Sequence, residues 1–313
     1  MLSSALHRNR NSGAAVAILR GCVAAFSAIC PCSLAVAEPA DTLVKDPTRV
    51  SSDKSVFNLF NPVPEDMMRE LAADRPDKTD CPFTVDAGHF QIEMDFANLT
   101  YNGPNSQRGN SRFTAVDVAP VNIKAGLLNN LDFQLIFTSY RTEKTEDLET
   151  GTIRRKSGFD GITPRFKLNV CGNDGGFFAL GLIPFVKLPV NTDHLGNDFV
   201  EGGVAVPYSF DVQGWDVGLQ VAFRANRNDA GAGYHAEFDN SISIGHSLIG
   251  KLSIAAEFFG SVSTERDADW TGTVDTWLTY QINKDLRLDG GVYIGVTLAA
   301  DDWHPWLGMT WRF

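Results

Sequence analysis

From about residue 86 to the end of the chain, apolar and polar residues alternate with a period of two. The first such stretch has apolar side chains at Phe90, Ile92 and Met94, with Gln91 and Glu93 between them. Similar alternation recurs in residues 131–138, 162–170, 215–224, 234–239 and 286–297. Alternation over about eight residues is typical of β-strands with one apolar and one polar face. The pattern therefore predicts a chain built from amphipathic strands.

Twelve strands are predicted, and the connections between them alternate between long and short. The strands begin near residues 88, 112, 130, 159, 177, 202, 215, 234, 250, 271, 286 and 303. The long connections span residues 98–111, 141–158, 189–200, 225–233 and 263–270. The short ones span residues 126–130, 171–176, 211–214, 246–250 and 283–285. This regularity predicts an up-and-down meander with long loops on one rim and tight turns on the other, although the second, fifth and tenth strands alternate weakly.

The width of a twelve-stranded barrel decides which face of its strands meets water. A barrel of about eight strands can fill its interior with side chains, whereas one of twelve is too wide to be filled in that way. A polar interior and an apolar exterior suit a lipid environment, where closure is also required because unpaired strand edges are costly in hydrocarbon. We therefore predict an all-β fold, a transmembrane up-and-down antiparallel β-barrel of 12 strands. An even strand number places both chain ends on the periplasmic side and the long loops outside the cell.

Aromatic residues at predicted strand ends support the membrane assignment. Four of the six tryptophans lie at such ends, where their rings favour the interface between lipid and water. They are Trp215, Trp270, Trp303 and Trp311. The chain also ends in Trp311-Arg312-Phe313, with apolar alternation behind it. We expect contacts with outer-membrane lipid and lipopolysaccharide, and recognition of the Phe313 strand by the barrel-assembly machinery.

The first 37 residues have the features of a secretory signal peptide. Arg8 and Arg10 precede an apolar stretch that ends in Ala35-Val36-Ala37, and no acidic residue occurs before Glu38. This order predicts export and cleavage after residue 37. A membrane anchor is the first alternative, but the apolar run is shorter than the ~20 residues of a spanning helix. Cleavage as a lipoprotein at Cys22 is the second.

The expected domain organisation follows from this order of segments. Residues 1–37 form the signal peptide, residues 38–86 a periplasmic or plug-like N-terminal segment, and residues 87–313 the outer-membrane barrel. The middle segment is rich in proline and has no sustained alternation. It is expected to lie on the periplasmic mouth or to enter the lumen as a partial plug, and a loosely ordered leader is the alternative.

Charge and cysteine content change once the leader is removed. The full chain has a net charge of −11 and a mean hydropathy of −0.11, values that alone suggest an ordinary soluble protein. The leader contains three arginines and no acid, so cleavage would leave −14. Such acidity argues against non-specific nucleic-acid binding. Cleavage would also leave two cysteines, Cys81 and Cys171, which are a disulfide candidate in an oxidising compartment, with two unpaired thiols as the alternative.

Several runs resemble a known family. They are residues 74–79 (Asp-Arg-Pro-Asp-Lys-Thr), residues 82–93 (Pro-Phe-Thr-Val-Asp-Ala-Gly-His-Phe-Gln-Ile-Glu), residues 182–189, 201–203 and 257–261, and residues 299–305 near the end. The chain resembles, over residues 57–313, the bacterial outer-membrane transporters associated with the meta-pathway of phenol degradation. The resemblance implies a barrel that carries hydrophobic or aromatic compounds across the outer membrane. It implies no catalytic residues.

The polar face of the predicted strands supplies the candidate pore-lining residues. They are Glu93, Asp95, Arg165, Lys167, Arg224, Glu237, Glu257, Arg287, Asp289 and Tyr293. One interpretation is a mixed-charge pore that selects solutes. The other is a set of internal ion pairs that hold the barrel in shape, which the near balance of signs favours for most of them. Aromatic solutes would contact four rings of the same parity, Phe259, Trp277, Tyr293 and Trp306.

Enzymatic and metal-binding functions find weaker support in the sequence. Asp301, Asp302 and His304 lie at a predicted extracellular loop and could activate water in a barrel hydrolase. The loop acids Asp193, Asp198, Asp229, Asp267 and Asp269 are scattered without calcium-loop spacing, so no metal site and no cofactor are expected. The sequence therefore predicts a non-enzymatic channel or transporter for passive uptake of a small hydrophobic or aromatic solute. A barrel hydrolase and a structural or adhesive barrel are the alternatives.

Overall fold

The computed structural model describes residues 53–228 and 233–313, which form one antiparallel sheet of thirteen strands preceded by an irregular segment. The predicted signal peptide lies outside the described residues. The strands are β1 Phe90–Asn102, β2 Ser111–Leu128, β3 Leu131–Asp147, β4 Ile153–Gly158, β5 Ile162–Cys171, β6 Phe178–Lys187, β7 Glu201–Val212, β8 Trp215–Arg227, β9 Tyr234–Ile249, β10 Leu252–Ser263, β11 Thr271–Asn283, β12 Leu286–Gly295 and β13 Trp303–Arg312. The described part also contains one short 3-10 helix, Glu65–Met67.

The sheet closes into a barrel of twelve strands. β1 pairs with both β2 and β13, and β2 pairs in turn with β3, so the ring of hydrogen bonds has no free edge. Every strand except β4 belongs to this ring, and all pairs are antiparallel. The predicted twelve-stranded up-and-down barrel is therefore confirmed. Within the described residues, no helix is long and apolar enough to cross a membrane.

The thirteenth strand, β4, lies where the sequence predicted a loop. β3 continues to Asp147, and its outer end pairs with β4, from Arg141↔Gly158 to Glu146↔Ile153. The prediction of a loop over residues 141–158 is wrong because this hairpin is polar on both faces, so it shows no alternation. Both of its faces meet water beyond the membrane, where a strand needs no apolar side.

The barrel has its polar face inside and its apolar face outside. Side chains such as Gln91, Glu93 and Lys167 are buried within the ring, whereas Phe166 and Leu168 on the outer face are 46% and 36% exposed. The four tryptophans at strand ends are also exposed on the outside. This inverted arrangement suits an exterior in lipid, because burial of apolar side chains then occurs against acyl chains rather than a protein core.

The two rims of the barrel differ, as the sequence predicted. Tight turns of two residues join β2 to β3, β7 to β8, β9 to β10 and β11 to β12, and a turn of six joins β5 to β6. The other rim carries the longer loops. Both barrel ends lie on the tight-turn rim, where Phe90 and Phe313 exchange backbone N–H···O bonds of 2.9 Å.

Residues 53–89, which we call the plug, enter the barrel from the tight-turn rim. Near this rim, Leu59 donates its backbone N–H to Leu127 at 2.9 Å, and Arg69 donates a side-chain hydrogen bond to the Asn129 carbonyl at 3.1 Å. Further along, Val63, Pro82 and Asp86 are buried within the barrel. From residue 53 onwards, the N-terminal segment therefore enters the lumen rather than lying only across its mouth.

Candidate functional site

Residues 74–81 of the plug, here called the plug loop, cross the lumen at one level. The candidate site consists of this loop and the barrel side chains around it. The backbone N–H of Cys81 donates to Asp74 Oδ1 at 3.2 Å, which closes the loop at its base. Thr79 and Asp80 reach the far wall, where Thr79 Oγ1 lies 2.6 Å from Ser241 Oγ and the Asp80 N–H donates to Gln220 at 3.0 Å. The loop thus contacts opposite sides of the barrel at one level.

Asp74 is the centre of a buried ion cluster on β2 and β5. Its carboxylate lies 2.6 Å from Lys124 Nζ and 2.7 Å from Arg165 Nη2, and it also accepts from Lys167. Its own N–H donates to Glu93 at 3.2 Å. Burial raises the pKa of Asp74, but the three cations outweigh burial and hold the pKa well below its ordinary value. Asp74 is therefore ionised and firmly bound.

The opposite half of the wall is acidic and binds the cations of the plug loop. Arg75 Nη1 lies 2.6 Å from Asp95, and its Nε donates to Asp289 at 3.1 Å. Lys78 Nζ lies 3.2 Å from Asp275. In addition, Glu257 accepts backbone N–H groups from Lys78 and Thr79 at 2.9 and 2.8 Å. The wall is thus basic where the loop presents Asp74 and acidic where it presents Arg75 and Lys78.

Aromatic rings surround the same two plug cations. The Arg75 guanidinium lies 5.5 Å from the centre of the Trp306 ring, and Lys78 Nζ lies 4.4 Å from Tyr293 and 5.0 Å from Phe259. Such distances permit cation–π attraction. Trp277 is also buried inside the barrel. All four aromatic residues that the sequence predicted to face the lumen therefore do so, one on each of the strands β10 to β13.

Most of the sequence-predicted pore-lining residues meet at this level. Those that contact the plug are Glu93, Asp95, Arg165, Lys167, Glu257, Arg287, Asp289 and Tyr293. Arg224 and Glu237 lie elsewhere, nearer the long-loop rim, where they form an ion pair of 2.8 Å with each other. The predicted set therefore divides into a plug-binding group and a separate pair on β8 and β9.

Sequence reasoning missed several residues of the site. Lys124 and Asp275 lie on β2 and β11, two of the strands with weak alternation. The sequence pattern therefore did not predict that their side chains face the lumen. Parity alone could have found Lys124, because Val121, Ile123 and Ala125 alternate with it. The plug loop had no such signal, because an irregular segment has no regular alternation from which the direction of its side chains could be predicted.

Cys81 and Cys171 are both free thiols in the structure, which contradicts the disulfide candidate. Cys81 lies inside the barrel, where its Sγ is 3.5 Å from Lys167 Nζ and 3.5 Å from the Phe83 carbonyl oxygen. Cys171 is exposed at the end of β5. The sequence could not show that Cys81 lies inside the barrel beside Lys167 while Cys171 lies at the end of β5.

We expect a maleimide to label only Cys171 in the folded protein. Burial raises the pKa of Cys81 to about 12, so its reactive thiolate is scarce. Mass spectrometry of the chain without residues 1–37, which retains only these two of the five cysteines, should show one added label on the native protein in detergent and two after denaturation, without any reductant. The Cys171→Ser variant serves as control and should take no label when folded. Absence of labelling in denatured protein until a reductant is added would instead demonstrate a disulfide.

The loop residues of the proposed hydrolase are engaged in separate structural contacts. Asp302 binds Arg108 at 2.8 Å and accepts the Gly103 N–H at 2.6 Å. Asp301 accepts from Asn102, and His304 Nδ1 lies 2.9 Å from Thr100 Oγ1. Burial raises the pKa of Asp302, but the Arg108 hydrogen bond, the Gly103 N–H and the Arg108 charge together outweigh burial and lower the pKa. Asp302 is therefore a poor proton acceptor. Among the described residues, no three His, Cys, Asp or Glu side chains converge as metal ligands.

Two cavities occupy the lumen at different levels. The outer one, of about 470 Å³, lies towards the long-loop rim against β5 to β9 and is lined by residues that include Phe185, Arg224 and His235. The inner one, of about 290 Å³, is lined by plug residues 73–82 together with side chains such as Trp277 and Arg287. A small solute entering among the long loops would reach the outer cavity first and then meet the plug.

The closed ring, the inverted faces and the two unequal rims define the class, a β-barrel of the outer-membrane type. Within that class, the chain belongs to the family described as "Putative MetA-pathway of phenol degradation", whose model matches residues 73–313. No curated protein sequence matches the chain.

Solved outer-membrane barrels resemble the structure at low sequence identity. A NanC porin is 11% identical, with 70% of this chain and 100% of that chain covered and a TM-score of 0.44. The transport unit of the autotransporter AIDA-I from Escherichia coli is 13% identical, covering 72% and 90% with a TM-score of 0.47. An anion-selective porin from Comamonas acidovorans is 8% identical, covering 72% and 98% with a TM-score of 0.36.

Proposed function

We propose that this protein is an outer-membrane channel or transporter for the passive uptake of small hydrophobic or aromatic compounds. The observation that carries the proposal is the outer cavity of about 470 Å³, which a solute entering among the long loops reaches first and which the aromatic ring of Phe185 lines among polar side chains. Membership of a family associated with phenol degradation supports an aromatic solute.

The proposal includes the route by which the chain reaches its membrane. Residues 1–37 direct export, and the barrel inserts in the outer membrane of a Gram-negative cell, in contact with lipid and lipopolysaccharide. Phe313 would be the signal for the assembly machinery. It is 53% exposed, and its ring lies 4.8 Å from that of Trp311, so an aromatic pair is available on the outer surface.

A structural or adhesive barrel is the second candidate, and the plug is the observation that favours it. A barrel whose lumen is crossed by bonded side chains at one level needs no solute to explain its polar interior. Uptake measurements separate the two functions, because only a transporter changes the rate at which solute enters the cell.

Uptake of radiolabelled toluene should rise several-fold when the full chain is expressed in a Gram-negative strain with intact lipopolysaccharide. The lipopolysaccharide layer slows hydrophobic solutes, so a protein route through it becomes visible. The control is the same strain with empty vector, and sucrose serves as a polar solute that should not accumulate faster. Equal toluene uptake with and without the correctly inserted barrel would favour the structural alternative.

A further inference from the structure

Strand β6 is held to its neighbours by interrupted ladders. Pro164 on β5, Pro184 on β6 and Pro207 on β7 lie on three successive strands, and proline has no N–H to donate to a ladder. Prolines are normally confined to sheet edges for this reason, yet a closed barrel has no edge. The concentration of three prolines therefore marks a weak part of the wall.

The strand registers show where the ladders break. Between β5 and β6, the pairs run from Arg165↔Phe185 directly to Leu168↔Leu182, so the positions around Pro184 are unpaired. Between β6 and β7, they run from Leu180↔Tyr208 to Ile183↔Ala205, so the positions around Pro207 are unpaired. By contrast, β8 and β9 pair without a break from Trp215↔His246 to Arg227↔Tyr234. We call residues 164–168, 180–186 and 204–208 the β6 seam.

The inner face of the β6 seam is apolar on β6 and β7, whereas its β5 side carries Arg165 and Lys167. Ile183, Ala205 and Ala222 form a buried apolar cluster on β6, β7 and β8, the one such cluster that the described residues contain. Above it, Phe185 lines the outer cavity. Outside it, Leu182 is exposed on the lipid-facing surface. An apolar surface therefore runs from the outer cavity, through the wall at its weakest ladders, to the lipid.

The plug closes the axial route next to the same seam. Pro82 is fully buried, and a Cβ atom built on Gly181 would lie 3.1 Å from its Cα, so plug and β6 are in close contact. Asp74 binds Arg165 and Lys167 on the β5 side of the seam, and Arg75 and Lys78 bind the wall across the lumen. Straight passage would require several of these buried pairs to separate, whereas sideways passage requires only that β6 move relative to β5 and β7.

We propose that hydrophobic solutes leave the lumen sideways through the β6 seam and enter the lipid without passing the plug. This inference rests on the proposed function and specifies the exit for its solute. Transfer of an apolar solute from the water of the outer cavity to hydrocarbon is favourable, so the route is downhill and needs no energy source. It also selects for apolar solutes, since a polar one gains nothing by entering lipid.

The test compares disulfide staples at three places in a Cys171→Ser background. Leu168→Cys with Leu182→Cys staples the β6 seam, and these residues lie opposite each other in the ladder, within the spacing that a disulfide requires. Leu219→Cys with Ile242→Cys is the matched control on the unbroken β8–β9 ladder. Thr79→Cys with Ser241→Cys staples the plug, since their hydroxyl oxygens are 2.6 Å apart.

Toluene uptake should be lost to the level of empty-vector cells when the seam staple is oxidised and should return when it is reduced. The control staple, which lies outside the candidate site, should leave uptake unchanged, and uptake that persists with the plug staple closed would support the sideways route. Full uptake with the seam staple closed would overturn the sideways route while the proposed function stands. Loss of uptake with the plug staple alone would show axial passage. No uptake in the unstapled protein would count against the proposed function itself.

A second pair of variants tests the seam without a disulfide. Pro184→Val and Pro207→Val each restore an N–H donor in an interrupted ladder and keep an apolar side chain. We expect the double variant to take up toluene more slowly than the wild type. Uptake at the wild-type rate, in a barrel that migrates as folded, would contradict the role of the weak ladders.

Discussion

Replacement of Asp74 by alanine is expected to release the plug loop and raise the ion conductance of the barrel in planar bilayers. Asp74 is the counter-charge of Lys124, Arg165 and Lys167, all of which are buried. Removing one partner of a buried ion pair leaves uncompensated charge and costs about 3–5 kcal/mol. Because the loop lies across the lumen, its release should convert a small conductance into that of an open twelve-stranded pore.

The ion selectivity provides an independent check on the same variant. Release of the loop would expose Lys124, Arg165 and Lys167 on one half of the wall and Asp95, Asp275 and Asp289 on the other, so the conducting state should show little preference between chloride and potassium. Asp66→Ala is the control, since Asp66 is an exposed acid of the plug, outside the plug loop. Unchanged conductance in Asp74→Ala, with normal conductance in Asp66→Ala, would show that other contacts alone hold the loop in place.

The strands and their orientation were predictable because they depend on local pattern and barrel size. Alternation placed β1 within two residues of its observed start, and the strand number excluded a filled core. A barrel too wide to be filled by side chains was then expected to have its polar face inside and its apolar face towards lipid. Even β2, β6 and β11, whose alternation is weak, were located, because the regular spacing of the turns predicts a strand in each of these intervals.

The plug and its partners were not predictable for the same physical reason. A period of two gives the face of a strand residue but not its partner, and Arg75 binds Asp289 across 214 positions of sequence. The charged residues were predicted to form internal ion pairs with one another, and Arg224 with Glu237 is such a pair. Most of the others bind the plug loop, which presents Asp74 to the basic half of the wall and Arg75 and Lys78 to the acidic half.

This division of charge has a consequence for how the barrel works. Ion pairs are strong in a confined polar lumen. The plug loop is therefore bound both by the basic half of the wall and by the acidic half. Among the described strands, β6 and β7 form no ion pair with the plug loop; their buried inward contacts are apolar and the ladders beside β6 are broken. The plug loop is held firmly across the axis of the barrel, whereas the ladders of the β6 seam are weak. Both features favour exit of an apolar solute through the seam.

Replacement of Asp86 by alanine is expected to detach the base of the plug from the barrel. Asp86 is 1% exposed and lies within 3.6 Å of three cations, Lys54, Arg69 and Arg312. Arg312 is itself 4% exposed and belongs to the closing strand β13. Loss of this shared carboxylate should cost about 3–5 kcal/mol, as for other broken buried pairs. Trypsin should then cut after Lys54 and Arg69 much faster than in the wild type.

Asp174 provides the matched control because it binds two of the same cations from an exposed position. It lies 2.9 Å from Lys54 and 3.1 Å from Arg69, yet its side chain is 40% exposed. Exposed ion pairs contribute about 0–1 kcal/mol, so Asp174→Ala should resist trypsin nearly as well as the wild type. Equal cleavage of the two variants would mean that burial does not set the strength of this anchor. Faster cleavage of Asp86→Ala alone, without the conductance rise of Asp74→Ala, would show that the base of the plug and the plug loop are held independently.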